Sequence, residues 1–194
     1  MALNPFVKGG EAYPLVVGMV GTKMGERFVQ IGCAHGGRLG AVAAKVGLSG
    51  RAVAITPDEA SAERARKGAA EAGMLVEVEV APMTALPAED RAFDVAVVDD
   101  TGGLLGEMPP EDRHGLVREL FRILRPGGRV VALGAIPQSG LGALLKRGPN
   151  EPSFAASGAL HEALTADGFR PVRTLAERDG LIFVEAVKPR SFPP

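Results

Sequence analysis

Two adjacent carboxylates, Asp99 and Asp100, follow the apolar run FDVAVV at 93–98, where a buried strand would end and its side chains would meet a ligand. A carboxylate so placed can polarise an acceptor N–H or O–H, or take its proton. The same pair can instead cap the turn at Gly102-Gly103. A divalent metal would need further oxygen ligands, and Glu107 alone lies near, so no metal site is expected. The second stretch with chemical potential is Val29-Gln30-Ile31-Gly32-Cys33-Ala34-His35-Gly36-Gly37, an apolar strand giving way to glycines and then a helix. Glycines there let the backbone turn sharply and let a ligand approach with no Cβ in the way. His35 can meet a ligand carboxylate or point to solvent, while Cys33 is expected to pack as a small buried residue. His114 and His161 stand far apart and make no metal-ligand spacing. Tyr13 either packs or covers the glycine loop as part of a lid.

The elements that must position these residues repeat a strand–turn–helix rhythm. RFVQI (27–31) and RAVAI (51–55) are short apolar runs that read as buried strands. GRLGAVAAKVG (37–47) places Leu39, Val42, Ala43 and Val46 on one helical face, with Gly47 as a stop. Thr56-Pro57-Asp58-Glu59 reads as a helix start: a hydroxyl cap, a proline at the first helical position and a capping-box glutamate. MLVEVEV (74–80) alternates as a third strand, and 81–92 carries two prolines and reads as loop. PPEDRHGLVRELFRILRPGG places Leu116, Leu120, Ile123 and Leu124 inward and is stopped by Pro126 and the glycine pair. Arg118, Arg122 and Arg125 on that helix, with their interleaved acids, read as a solvated surface. RVVALGAI (129–136) is a fifth strand, and FAASGALHEALTADG a further helix beyond a Gly/Pro-rich stretch at 137–153. PVRTLAE and LIFVEAV, split around Arg178-Asp179-Gly180, form a hairpin with an Asp-Gly turn. Strands joined by helical crossovers predict an α/β fold, a doubly wound and mostly parallel sheet with an antiparallel C-terminal hairpin. Ligands of such sheets sit outside the carboxyl ends of the strands, where the winding reverses.

Composition narrows the function classes. With 194 residues, 46% of them apolar, the chain suits one globular unit with a sizeable core. The expected division is an N-terminal helical or lid segment (1–24), the main domain (25–188) and a short tail (189–194). One cysteine makes no internal disulfide or multi-cysteine zinc site, which fits a reducing compartment. A formal charge of −1 provides no broad drive toward nucleic acid or anionic membrane. Neither a leader nor a span of about 20 apolar residues is visible. The expectation is a soluble cytoplasmic protein with a small-molecule ligand; the oligomeric state is left open.

The whole layout resembles the class I S-adenosylmethionine-dependent methyltransferases. In that family the first loop runs acid-x-Gly-x-Gly-x-Gly, and Gln30, Gly32, Ala34 and Gly36 stand at those positions. FRILRPGGRVVALG is similar to the family's leucine-proline-glycine-glycine turn before the fifth strand, and TALPAEDRAFDVAVV to its approach to the fourth. The terminal hairpin matches the antiparallel last strand that separates this fold from dehydrogenases. The resemblance covers roughly 25–188. It implies S-adenosylmethionine as cofactor, with Gln30, Gly32, Cys33, Ala34, Gly36, Thr56, Pro57 and Met83 around it and Asp99 and Asp100 facing a small-molecule acceptor. That acceptor would be presented by the loops around 99–108 and 136–153.

Departures from the family pattern fall together. Family members usually carry an acid at the position of Gln30, which helps hold the amino group of the cofactor's methionine portion. They carry another at Thr56, which grips the ribose hydroxyls, and often an aspartate at Pro82, which meets the adenine amino group. A hydrogen bond to a charged group contributes about 1.5–3 kcal/mol, so each lost anchor weakens binding about tenfold or more. Gln30 and Thr56 can still hydrogen-bond, Asp58 or Glu59 can substitute from the first helical turn, and the Met83 amide needs no particular side chain to meet an adenine ring. Two other readings stay open: a non-catalytic relative kept as a binding or assembly module, and a nicotinamide-dependent oxidoreductase. The latter rests on Gly32-x-Ala34-x-x-Gly37 but lacks both a ribose carboxylate and a Tyr-x-x-x-Lys pair.

Overall fold

The computed structural model describes residues 13–136 and 153–190. The expectations for the Gly/Pro-rich stretch at 137–152, for residues 1–12 and for the end of the tail lie outside the described residues. The chain folds in the order α1 (Tyr13–Val20), β1 (Arg27–Ile31), α2 (Gly36–Val46), β2 (Arg51–Thr56), α3 (Glu59–Glu71), β3 (Glu77–Val80) and β4 (Phe93–Asp100). It continues through α4 (Leu104–Glu107), α5 (Pro110–Ile123), β5 (Leu124–Ala135), α6 (Ala159–Ala166), β6 (Val172–Arg178) and β7 (Leu181–Val187). The seven strands make one sheet in the order β3-β2-β1-β4-β5-β7-β6. β1 to β5 run parallel, and β7 enters antiparallel beside β5, with Leu133 opposite Phe183. This is the doubly wound sheet with an antiparallel C-terminal hairpin that the strand rhythm predicts.

The parallel strands read as unbroken apolar runs because both of their faces are covered. Along β1, Phe28 packs into a core with Val16, Val20, Leu39, Val42 and Ala65 from α1, α2 and α3. Its neighbours Val29 and Ile31 enter the opposite core, with Leu116, Leu120 and Ile123 of α5 and Leu160 and Leu164 of α6. Helices that follow β1 and β2 therefore lie on one face, and helices that follow β4 and β5 on the other. The winding reverses between β1 and β4, which opens a crevice at their carboxyl ends.

Local outcomes differ from the sequence reading at several points. Thr56 does not cap α3: it ends β2 opposite Val80, and its hydroxyl donates to the carbonyls of Asp58 and Glu79 at 3.2 and 3.3 Å. The cap is Asp58, whose carboxylate accepts from the Ser61 amide at 2.7 Å, so Pro57 lies outside the helix and Glu59 completes no capping box. The aspartate pair lies inside β4, not beyond it. α5 stops at Ile123, before Pro126, because Leu124 already pairs with Phe93 and the residue preceding a proline favours extended backbone. The expected helix over 154–168 is split by Gly158, at φ +78°, into one 3-10 turn (Phe154–Ala156) and α6. The third strand shrinks to Glu77–Val80 at the sheet edge. The hairpin turn forms as read, with Asp179 and Gly180 at φ +56° and +77°.

Candidate functional site

At the reversal point β1 leads into the glycine loop and β4 into the aspartate pair, so the sheet brings those candidates together. Gly32 takes φ +72° and its amide donates to the Ile55 carbonyl at 2.8 Å. A Cβ there would lie 2.7 Å from Leu104 Cδ2 and 3.3 Å from the Asp99 carbonyl oxygen. Gly36 is required for a different reason. A Cβ on it would run into the Arg64 carbonyl and the Gly68 backbone, because α2 and α3 touch there glycine to glycine. A Cβ on Gly37 would strike the Tyr13 ring, so Tyr13 packs on the first turn of α2, with its hydroxyl 3.4 Å from His35 Nδ1.

The polar groups of the loop are turned inward. Gln30 is 2% exposed, and its Nε2 donates to the Gly32 carbonyl at 3.0 Å. Asp99 is equally covered at 2%; one carboxylate oxygen accepts from the Ala34 amide at 2.9 Å. Its other oxygen accepts from the Thr101 hydroxyl at 2.6 Å and the Thr101 amide at 3.3 Å. Arg38 Nη1 donates to the Thr101 hydroxyl at 2.7 Å and lies 3.9 Å from Asp99. Asp100 is fully buried and accepts from the Leu105 amide at 2.7 Å and the Ala155 amide at 2.9 Å, tying the loop after β4 to the chain returning after β5. Burial pushes its carboxyl above the ordinary value, against the two amides that favour the charged form. Cys33 is covered, and its carbonyl accepts from Arg64 Nε at 2.8 Å. Burial, and then the Asp99 charge, pushes its thiol up to about 12, so it stays neutral and unreactive at neutral pH.

Across β2 and β3 the lip is more open. Thr56 is fully covered, but Pro57, Asp58 and Glu59 are exposed, as is Pro82. Glu59 pairs with Arg66 at 2.5 Å, whereas Asp58 faces solvent beyond its capping bonds. The Met83 side chain is buried at 6% exposure, and no described residue accepts from its amide. A depression of about 240 Å³ lies between the glycine loop at 34–37 and the α3 face of Arg64, Lys67, Gly68 and Glu71. It is smaller than ordinary small-molecule pockets of roughly 300–1,000 Å³, and neither Thr56, Met83 nor the aspartate pair lines it.

The sheet thus assembles Gln30, Gly32, Cys33, Ala34, Asp99 and Asp100 at one crevice and sets Thr56, Pro57 and Met83 along the adjacent lip. Gly36 faces α3. Arg38, Thr101 and Leu104 were not anticipated. A cation in the first turn after a glycine loop and a hydroxyl directly after two aspartates were the available signals, but only the pairing of β1 with β4 makes them meet. Among the described residues no group of three or more His, Cys, Asp or Glu could hold a metal, and no helix is long and apolar enough to cross a membrane.

Residues 28–128 match the family described as "Methyltransferase domain". The chain belongs to that family. It is 36% identical over 107 residues to an uncharacterized 37.1 kDa protein of transposon TN4556 from Streptomyces fradiae, covering 55% of this chain and 29% of that protein. It is 35% identical over 122 residues to the 27-O-demethylrifamycin SV methyltransferase of Amycolatopsis mediterranei, covering 61% and 42%. The chain thus spans less than half the length of both. A solved S-adenosylmethionine-dependent methyltransferase from Aquifex aeolicus shares the fold with a TM-score of 0.71 at 21% identity, covering 90% of this chain and 88% of that one.

Proposed function

We propose that the chain is the donor-binding domain of an S-adenosylmethionine-dependent methyltransferase that acts on a small-molecule acceptor. One observation carries the reading: the family match spans the glycine loop and β4, and these two elements meet where the winding of the sheet reverses. The relative that methylates a rifamycin supports a small-molecule acceptor. When bound, the donor supplies a methyl group on a sulfonium, and transfer by direct displacement depends mostly on in-line positioning.

The fit to that donor is uneven. Asp58 on the exposed lip is the acid available for ribose hydroxyls, in place of the fully covered Thr56, and Pro57 and Pro82 flank the space where a base would lie. The Met83 amide is the donor for the base edge. Gly32, Cys33, Ala34 and Gly36 shape the loop through their backbone, and Gln30 through its side-chain amide. Asp99 and Asp100 fit positioning groups best, because both carboxylates are buried and hold the Ala34, Leu105 and Ala155 amides and the Thr101 hydroxyl. The unit at 25–188 would carry this site, with 1–24 contributing α1 as packing on α2.

A second reading, a binding or assembly module without catalysis, is favoured by those same inward-turned carboxylates. Isothermal titration of the full chain with S-adenosylmethionine separates the two. The methyltransferase reading expects saturable heat with a dissociation constant below about 1 mM; no heat and no thermal shift at millimolar donor leaves the module.

A further inference from the structure

The two ends of an α-amino acid need opposite partners: its ammonium needs an acceptor, and its carboxylate needs an N–H donor, best beside a cation. The glycine loop has one of each, the Gly32 carbonyl and the Ala34 amide, with Arg38 as the nearby cation. Both are already taken by the protein. The Gln30 amide stands on the Gly32 carbonyl where an ammonium would, and the Asp99 carboxylate stands on the Ala34 amide where a ligand carboxylate would. Arg38 and Thr101 complete the second contact at 2.7 Å, and Leu104 packs over Gly32. The loop after β4 closes further onto the glycine loop at Gly102, where a Cβ would lie 3.1 Å from that of Ala34. At the lip beyond β2 and β3, where the Thr56 hydroxyl joins the two strands, Pro57, Asp58 and Pro82 stay exposed.

We infer that this chain reads its ligand by the adenosine half, at the lip of β2 and β3, and that Gln30 and Asp99 act as built-in replacements for the ligand's ammonium and carboxylate. Asp99 is then the specificity-determining residue. The inference rests on the methyltransferase reading and narrows it. A site that received both charged ends would favour a ligand carrying them by about a hundredfold, since each charge-assisted bond contributes about tenfold or more. A site whose partners are already filled gains little from them.

The test is calorimetric titration of the full chain with S-adenosylhomocysteine and with 5′-methylthioadenosine, which keeps the nucleoside thioether and lacks the amino-acid end. The expected result is dissociation constants within about tenfold of each other. In Asp99→Ala, checked for folding by its melting transition, the Ala34 amide and Arg38 are released. S-adenosylhomocysteine should then tighten about tenfold while 5′-methylthioadenosine stays within about twofold. If that variant does not fold, the wild-type ratio and Gln30→Glu carry the test: a second acceptor beside the Gly32 carbonyl turns outward and should strengthen only the ammonium-bearing ligand. A wild-type preference for S-adenosylhomocysteine beyond about tenfold, or its weakening in Asp99→Ala, overturns the inference and leaves the methyltransferase reading standing. Failure of both ligands to bind wild type and variants overturns both.

Discussion

The half of the crevice between β1 and β4 and the half along β2 and β3 are built from the same parallel sheet but treat their polar groups differently. On the β1–β4 side, glycine-loop amide, carbonyl, carboxylate and guanidinium satisfy one another, and the carboxylates are buried. On the β2–β3 side, a proline, a capping aspartate and a second proline are left facing water. An unpaired buried donor or acceptor costs about 1–3 kcal/mol, so the first half is cohesive without a ligand. The second half stays open at little cost because water solvates it. Cohesion and receptivity meet at the neighbouring strands β1 and β2.

The largest expected effect lies where the cohesive half rests on α3. A Cβ at Gly68 would collide with the backbone of Gly36. Alanine normally favours a helix over glycine by about 1 kcal/mol, but overpacking of this severity costs about 3 kcal/mol, so Gly68→Ala should lower stability clearly. A urea midpoint that rises or stays put would show that the two helices have room to part. Next in size is Thr101→Val, which removes the hydroxyl shared by Asp99 and Arg38. A loss of about 1–2 kcal/mol is expected in the same assay, and a loss below about 0.5 kcal/mol would mean that the closure of the β1–β4 side does not depend on this hydroxyl.

On the open side, Asp58→Asn preserves a side-chain oxygen for the Ser61 amide, so stability should hold within about 0.5 kcal/mol. Nucleoside thioether binding should nevertheless weaken about tenfold. Unchanged affinity would remove Asp58 from the ribose contact.

The smallest effect is in pH. Burial raises the Asp94 carboxyl, but Arg125 and the Arg27 amide and guanidinium outweigh it and hold it below its ordinary 3.8. Its contribution to stability is therefore present above that value and lost as pH falls through the depressed one. Asp100 runs the other way: its raised carboxyl favours the folded state below the ordinary value and loses that contribution as pH rises through the raised one. Urea midpoints between about pH 6 and about pH 3 should fall on acidification in wild type and fall less in Asp94→Asn. An equal slope in both would exclude Asp94 as a source of the acid sensitivity.

The parallel strands themselves were legible because buried parallel strands must be apolar on both faces, which marks RFVQI, RAVAI and FDVAVV. The Asp-Gly hairpin was legible because consecutive left-handed residues have a narrow chemistry. The cap of α3 was misassigned because Thr56 and Asp58 are both good caps, and only the pairing of Thr56 with β3 decides between them. The same limit hid the hydrogen bond from the Ala34 amide to Asp99. Spacing marks Gln30 and Asp99 as polar residues at strand ends; Gln30 turns to its own loop, but only the parallel pairing of β1 with β4 brings Asp99 to the Ala34 amide, 65 residues away in sequence.

Backbone amide chemical shifts read both halves of the crevice in one titration. With 5′-methylthioadenosine or S-adenosylhomocysteine added to the full chain, the amides of Asp58 and Met83 should move with ligand while those of Ala34 and Thr101 hold their positions. Large saturable shifts at Ala34 and Thr101 with none at Met83 would contradict it.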